Sequence, residues 1–223
     1  SDAIAELAPQ YPDTMFWVNG GMIDGIENLH CCNLQSADVN FLVGAFSVYM
    51  SEELGYGNKV GWVGGQRNPF LEQGQYGFTA GAEYAGGESV IAYVGNFTDS
   101  AKGKEIAMQM YDNGVHMIQG WAGGAGHGVH QAADALGGDY FSSGGGNLQG
   151  QFDLAKQMLT CAGVGEGEAV YGACKDMEKG ELKGGLYAYG VKEGVNDIVY
   201  NPGELGEIIP QEIKEKMDDI REK

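Results

Sequence analysis

Short apolar runs that each end in glycine, followed by residues at helical spacing, recur along this chain. That punctuation restricts it to an α/β architecture with parallel sheets. The stretch from Tyr93 to Ala133 shows it most fully. Ser89 to Val94 has the apolar, β-branched character of a strand. Asp99 or Ser100 can cap the helix that follows, on which Ile106, Ala107, Met110 and Tyr111 share a face. Gly114 ends that helix in the left-handed conformation. His116 to Gln119 reads as the next strand, and Gly123, Gly124, Gly126 and Gly128 lead into a helix near Val129. Two parallel strands joined by a helix make a right-handed crossover, and ligands of such sheets sit beyond the carboxyl ends of the strands. The loops Gly95 to Ser100 and Gly120 to Gly128 belong there, and they carry Phe97, Asp99, Trp121 and His127.

The rest of the chain repeats the pattern. A first helix ends at Tyr11-Pro12-Asp13, and Ser1 or Asp2 can cap it. Strands are expected at Met15 to Val18, Leu29 to Leu34, Lys59 to Val63, Asp139 to Ser143, Gly184 to Tyr189 and Asp197 to Tyr200. Helices are expected from Ser36, as cap, to about Leu54, from Pro69 to Tyr84, Gln149 to Leu159, Glu168 to Lys179 and Pro210 to Arg221. The loops Asn19 to Gly21, Gly64 to Asn68 and Gly144 to Asn147 again join apolar runs to glycine and polar residues. Parallel strands would deliver all of these tips to one edge, which is how a ligand cleft is built.

Composition narrows the function classes. A net charge of −18 over 223 residues argues against a nucleic-acid surface, which needs a basic patch. No apolar run reaches the roughly 20 residues of a membrane span. Cys31, Cys32, Cys161 and Cys174 form no CxxC pair; a Cys161–Cys174 disulfide is open, and free thiols, mostly buried, are the simpler reading. The chain opens on a helix without Met or a preceding strand, so a processed product or fragment is expected.

The motifs KVGWVGG, QYGFTAGAEYA, AYVGNFTDSAKGKEIA, YDNGVHMIQGWAGGAGHGV and GLYAYGVKEGVNDI, in this order, resemble the basic membrane protein family of substrate-binding lipoproteins. Its characterised members include purine-nucleoside receptors of ABC importers. The resemblance runs from about Asp2 to the C-terminus. It implies a type I periplasmic binding protein, with two Rossmann-like lobes joined by three hinge strands. Residues 1–57 with about 152–190 would form an N-terminal lobe, and 58–151 with about 191–223 the C-terminal lobe. The first lobe would be incomplete, because the family carries a further N-terminal segment with a signal peptide and a lipidated cysteine. Membrane association would come only through that anchor, on the periplasmic or extracellular face. The implied partners are a nucleoside-like ligand and an ABC transporter permease, with no nucleic acid, no cofactor and no metal.

Site residues carry over by position. Phe97 matches a family phenylalanine that stacks on the base. Asn19 stands where the family often has Asp; Gly144 or Gly145 falls where a family loop supplies an Asp, and Val164 falls near a family Lys. The remaining candidates rest on residue type and place. Phe97 and Trp121 can sandwich a flat ligand or belong to core or hinge. Asp99 can bond a ligand or cap its helix. Arg67 can meet an anion or make a surface ion pair. Asn68, His127, Gly145 and Asn147 can supply hydrogen bonds or close backbone approach. His127 and His130 are three apart, but a third metal ligand is not evident. GGAGHG lacks the Lys-Ser or Lys-Thr of a phosphate-binding loop. No nucleophile elbow or ordered triad appears, so capture of a solute outranks catalysis. The alternatives are the ligand-sensing domain of a transcriptional regulator, or a sugar- or nucleotide-modifying α/β enzyme.

Overall fold

The computed structural model describes residues 2–146 and 152–223. In chain order the elements begin with α1 (Asp2–Leu7), β1 (Phe16–Asn19), β2 (Leu29–Leu34), α2 (Ser36–Glu53), β3 (Lys59–Gly64), α3 (Pro69–Tyr84), β4 (Glu88–Tyr93) and α4 (Ser100–Asp112). They continue with β5 (Met117–Trp121), α5 (His127–Leu136), β6 (Phe141–Gly146), β7 (Met158–Val164), α6 (Glu166–Glu178), β8 (Gly185–Tyr189), β9 (Asn196–Tyr200) and α7 (Gln211–Arg221).

The chain divides into two compact units, Ser1–Gln35 with Gly165–Asn196, and Ser36–Val164 with Asp197–Lys223. Residues 36–57 and 152–164 group with the larger unit, and 191–196 with the smaller. The reason for 36–57 is packing: α2 crosses α3 with no room for side chains between them. A Cβ on Gly77 would lie 2.7 Å from the Cα and carbonyl carbon of Ala37, and one on Gly81 would lie 2.9 Å from Cα of Phe41. A Cβ on Gly44 would approach the carbonyl carbon of Phe78 to 3.0 Å.

The smaller unit holds a three-stranded parallel sheet of order β1-β2-β8. Trp17, His30 and Tyr187 stack across it, with ring centroids 4.8 and 4.3 Å apart. The larger unit holds a six-stranded sheet of order β4-β3-β5-β6-β7-β9. Its β3–β4, β3–β5, β5–β6 and β6–β7 pairs are all parallel. Val63 and Ile118 pack under Ala107, Met110 and Tyr111 of α4 and Val129, Ala132 and Ala133 of α5. The alternate residue Trp62 points the other way, and its indole N–H donates to Oδ1 of Asn40 on α2 at 3.3 Å. Helices therefore cover both faces, the arrangement that buried, near-continuous apolar strands require.

Several expectations are corrected. Where 152–159 was expected to be helical, a short 3-10 turn (Phe152–Leu154) precedes the start of β7. The first part of that expected helix, residues 149–151, and the Ser1 cap lie outside the described residues. The two strands of the expected crossover, β4 and β5, are parallel with β3 between them. Ser36 begins α2 rather than preceding it, and its hydroxyl donates to the Phe70 carbonyl at 3.0 Å. Residues Gly123–Gly126 are a 3-10 turn running into α5, which starts at His127 rather than near Val129. The free-thiol reading of the cysteines holds: all four are free, three buried and Cys174 exposed. Burial pushes the Cys161 thiol up to about 12.

Candidate functional site

The order of the larger sheet creates a switch point. From β3 the chain moves outward to β4, then crosses back to β5 on the other side of β3. Loops leaving the carboxyl ends of β3 and β5 therefore diverge and leave a crevice between them, where open α/β sheets bind ligands. The residues at that edge are Gly65 to Asn68 after β3, Gly95 to Asp99 after β4, Ala122 to Gly126 after β5, and Gly145 at the end of β6.

Phe97 is the aromatic residue most available there, at 38% exposure. Its ring lies on the backbone of Gly65, where a Cβ would come within 2.5 Å of Cε1. Its carbonyl accepts from Ala125 N–H at 2.9 Å, which ties the β4 loop to the turn after β5. A glycine at 65 is thus what lets the ring lie flat at the crevice edge. Asn96 holds the same loop: its Oδ1 accepts from the Thr98 and Asp99 amides at 2.9 and 2.8 Å.

Trp121 is placed differently. It is 7% exposed, with its ring against Gly145, where a Cβ would lie 2.8 Å from Cζ3, and tilted against Phe70 at 6.3 Å between centroids. It forms a buried wall behind the crevice, with little of the ring available to face Phe97 across a ligand. Asp99 caps α4, its Oδ1 accepting from Lys102 N–H at 2.9 Å. Replacing it by Ala should cost about 1 kcal/mol of stability in urea unfolding, whereas Asp99→Asn should cost only a fraction of that. Asn68 caps α3 in the same way, accepting from Leu71 N–H at 3.0 Å. Arg67 is exposed, 4.4 Å over the Tyr93 ring and 3.6 Å from Glu72. Tyr93 in turn donates to Oε1 of Gln75 at 2.7 Å. Arg67 is therefore already engaged at the rim.

His127 is exposed at the start of α5. Asn19 is exposed at the end of β1, in the smaller unit. Asn147 lies outside the described residues. The switch-point edge thus gathers Arg67, Asn68, Phe97, Asp99, Trp121, His127 and Gly145 in the larger unit. Sequence reasoning weighed His130 only as a metal ligand. It is buried in α5, with Nδ1 2.9 Å from Ser142 Oγ; its spacing of three from His127 was the available signal. Among the described residues, no group of three or more His, Cys, Asp or Glu is arranged to hold a metal ion.

Parallel sheets, helices on both faces and a switch-point crevice define the class: this is the fold of type I periplasmic solute-binding proteins. A solute-binding protein of an ABC transporter system from Aeropyrum pernix K1 superposes with a TM-score of 0.82 at 24% identity, covering 99% of this chain and 71% of that one. A transcriptional activator of the comK gene from Bacillus halodurans superposes with a TM-score of 0.81 at 26% identity, covering 99% and 73%. The family model described as ABC transporter substrate-binding protein PnrA-like matches residues 1–223, and the chain belongs to that family. Basic membrane protein D of Borreliella burgdorferi (strain JD1) is 34% identical over 209 residues, 90% of this chain and 60% of that protein. Basic membrane protein A1 of Borrelia garinii subsp. bavariensis is 29% identical over 201 residues, 88% of this chain. The chain thus spans 60% and 57% of the length of these two relatives.

Proposed function

We propose that this chain is the ligand-capturing part of an extracytoplasmic solute-binding protein that delivers a nucleoside-like molecule to an ABC importer. The observation that carries the ligand class is Phe97: an aromatic ring seated on glycine backbone at the switch point, with more than a third of its surface exposed. A flat base is what such a ring holds best, since stacking adds about 0.5–1.5 kcal/mol to the gain from burial alone. The family match over the whole chain supports capture rather than chemistry. The mechanism would be closure of two lobes about a hinge, with the closed, loaded form presented to the permease.

Calorimetric titration of purine and pyrimidine nucleosides tests this. One nucleoside should bind, and Phe97→Ala should weaken it by about tenfold, the equivalent of 1.4 kcal/mol. Heat from sugars or amino acids but from no nucleoside would sink the ligand class. Unaltered affinity in the variant would remove Phe97 from the site.

A second reading, a ligand-sensing domain of a regulator, is favoured by the likeness to the comK activator. A DNA-binding helix-turn-helix encoded upstream of Ser1 would support it, and a lipobox signal there would support transport.

A further inference from the structure

β4 ends the six-stranded sheet, and among the described residues no strand lies on its far side. We propose that this bare edge is a docking surface for a second copy of the chain, whose own β4 pairs with it antiparallel about a two-fold axis between the two Ile91 residues.

The strand lacks the usual protection of an exposed edge. Natural sheets guard such edges with proline, inward-pointing charge or a bulge. Glu88–Tyr93 reads ESVIAY and pairs with β3 residue for residue without a break. Only Glu88, its first residue, is charged, and Val90, Ile91 and Ala92 are left half-buried. With Ile106, Met110 and Val115 they line a groove of about 300 Å³ between β4 and α4.

Backbone direction selects the partner. The Glu88 N–H donates to the Asn58 carbonyl at 3.0 Å, and the Val94 N–H to that of Gly64 at 2.9 Å. A strand alternates with a period of two, so the even-numbered residues from Glu88 to Val94 direct their N–H and C=O groups at β3. Ser89, Ile91 and Tyr93 turn theirs outward. An antiparallel copy in the register that sets Ile91 against Ile91 also sets Ser89 against the partner's Tyr93. Every outward group then meets another, because opposed residues of such a pair exchange both N–H···O bonds. The same register puts Val90 beside the partner's Ala92, on the face that α4 covers, and so joins the two grooves.

Charge agrees with that register. Thr79 Oγ1 lies 3.0 Å from Ser89 Oγ, which sets α3 alongside β4. Exposed Glu83 is one helical turn further toward the amino end of the strand. Exposed Arg67 stands at the other end, 4.4 Å over the Tyr93 ring. Reversed direction in the partner brings each Arg67 level with a Glu83 of the other copy. This two-fold match is what an isologous interface requires, and a peptide of unrelated sequence does not supply it.

The test is sedimentation of the whole chain at about 100 μM, well above a micromolar dissociation constant. The buffer holds about 0.5 M NaCl, whose Debye length of roughly 4 Å screens the repulsion between two chains of net charge −18. A species of twice the chain mass is expected. Ile91→Lys puts two like charges at the axis and should weaken the dimer by about a hundredfold, with an unchanged far-ultraviolet spectrum. Arg67→Glu and Glu83→Arg should each weaken it, and the double variant should recover it. A parent that stays monomeric, or a double variant as weak as either single one, overturns the proposal. Amide hydrogen exchange needs no variant: Ser89, Ile91 and Tyr93 should exchange as slowly as Val90 and Ala92 in the dimer, and far faster on dilution. Fast exchange at those three amides in a dimer would place the contact elsewhere and overturn it equally.

Discussion

Replacing Gly77 by Ala, a change that ordinarily strengthens a helix by about 1 kcal/mol, should here cost about 3 kcal/mol or more. The new methyl would sit 2.7 Å from two backbone atoms of Ala37, inside the closest approach that carbon atoms make. Backbone cannot rotate aside as a side chain can, so α2 and α3 would have to separate. Separation would loosen Phe78, Leu42 and Val43, all buried, and would disturb Phe70, which leans on Trp121 at the crevice wall. Gly172 in α6 is the internal control, since a Cβ there meets nothing within 4 Å. Gly172→Ala should stabilise by about 0.5–1 kcal/mol. Urea midpoints for the two variants should therefore move in opposite directions. A Gly77→Ala protein as stable as its parent would mean that the helices are not in contact at that glycine.

The same helix pair shows what the sequence concealed. The spacing of Gly77 and Gly81 lies in plain view, yet glycine inside a helical pattern signals weakness unless a partner backbone is known to approach. That partner, Ala37 to Phe41, is about forty residues away, and only the fold brings it close. Local signals were read well wherever chemistry is local. Asp99 caps the helix that follows it, Pro69 opens α3, and Gly114 has the positive φ of 80° foreseen for it, whereas Asn68, expected as a ligand contact, caps α3 instead. The strand Met158–Val164 was missed because MLTCAGV is apolar apart from Thr160, and such a run carries no period to separate a buried strand from a buried helix. Strand order was illegible for a different reason. Which strand lies beside β3 depends on pairing between distant segments, and the switch point that locates the crevice emerges only from that order. At the site itself, residue types were legible but their use was not. Trp121 and Phe97 look alike in sequence and each lies against a glycine, and only the burial the fold gives them, 7% exposure against 38%, makes one a buried wall and the other an open plate.

Acid should reveal His130. In the unfolded chain this group titrates near 6.5, whereas in the fold its pKa falls to about 4, chiefly from burial and secondarily from His127, with Asp134 opposing. Between those values the unfolded state binds a proton that the folded state does not, so stability must fall as pH drops through that window. The contribution is fully present above about 6.5 and exhausted below about 4. A gap of 2.5 units corresponds to about 3 kcal/mol, of which about 2.5 kcal/mol should be gone by pH 4.5. Against a typical total of 5–15 kcal/mol this is a large share for one side chain. The groups facing His130 are His127, Ser142 and Asp134, and Asp134 is itself pinned by the Lys156 and Gln157 amides at 3.2 and 2.8 Å. Its charge therefore cannot swing closer to relieve a protonated ring. The measurement is urea unfolding at pH 7 and 4.5 for the parent and His130→Gln. The amide does not titrate, so the variant should lose about 2.5 kcal/mol less between the two conditions, whatever it costs at neutral pH. The carboxylates titrate equally in both proteins and cancel in that difference. Parallel pH profiles for parent and variant would show that His130 takes up its proton in the folded chain as readily as in water, and that the ring is not buried in α5 as described.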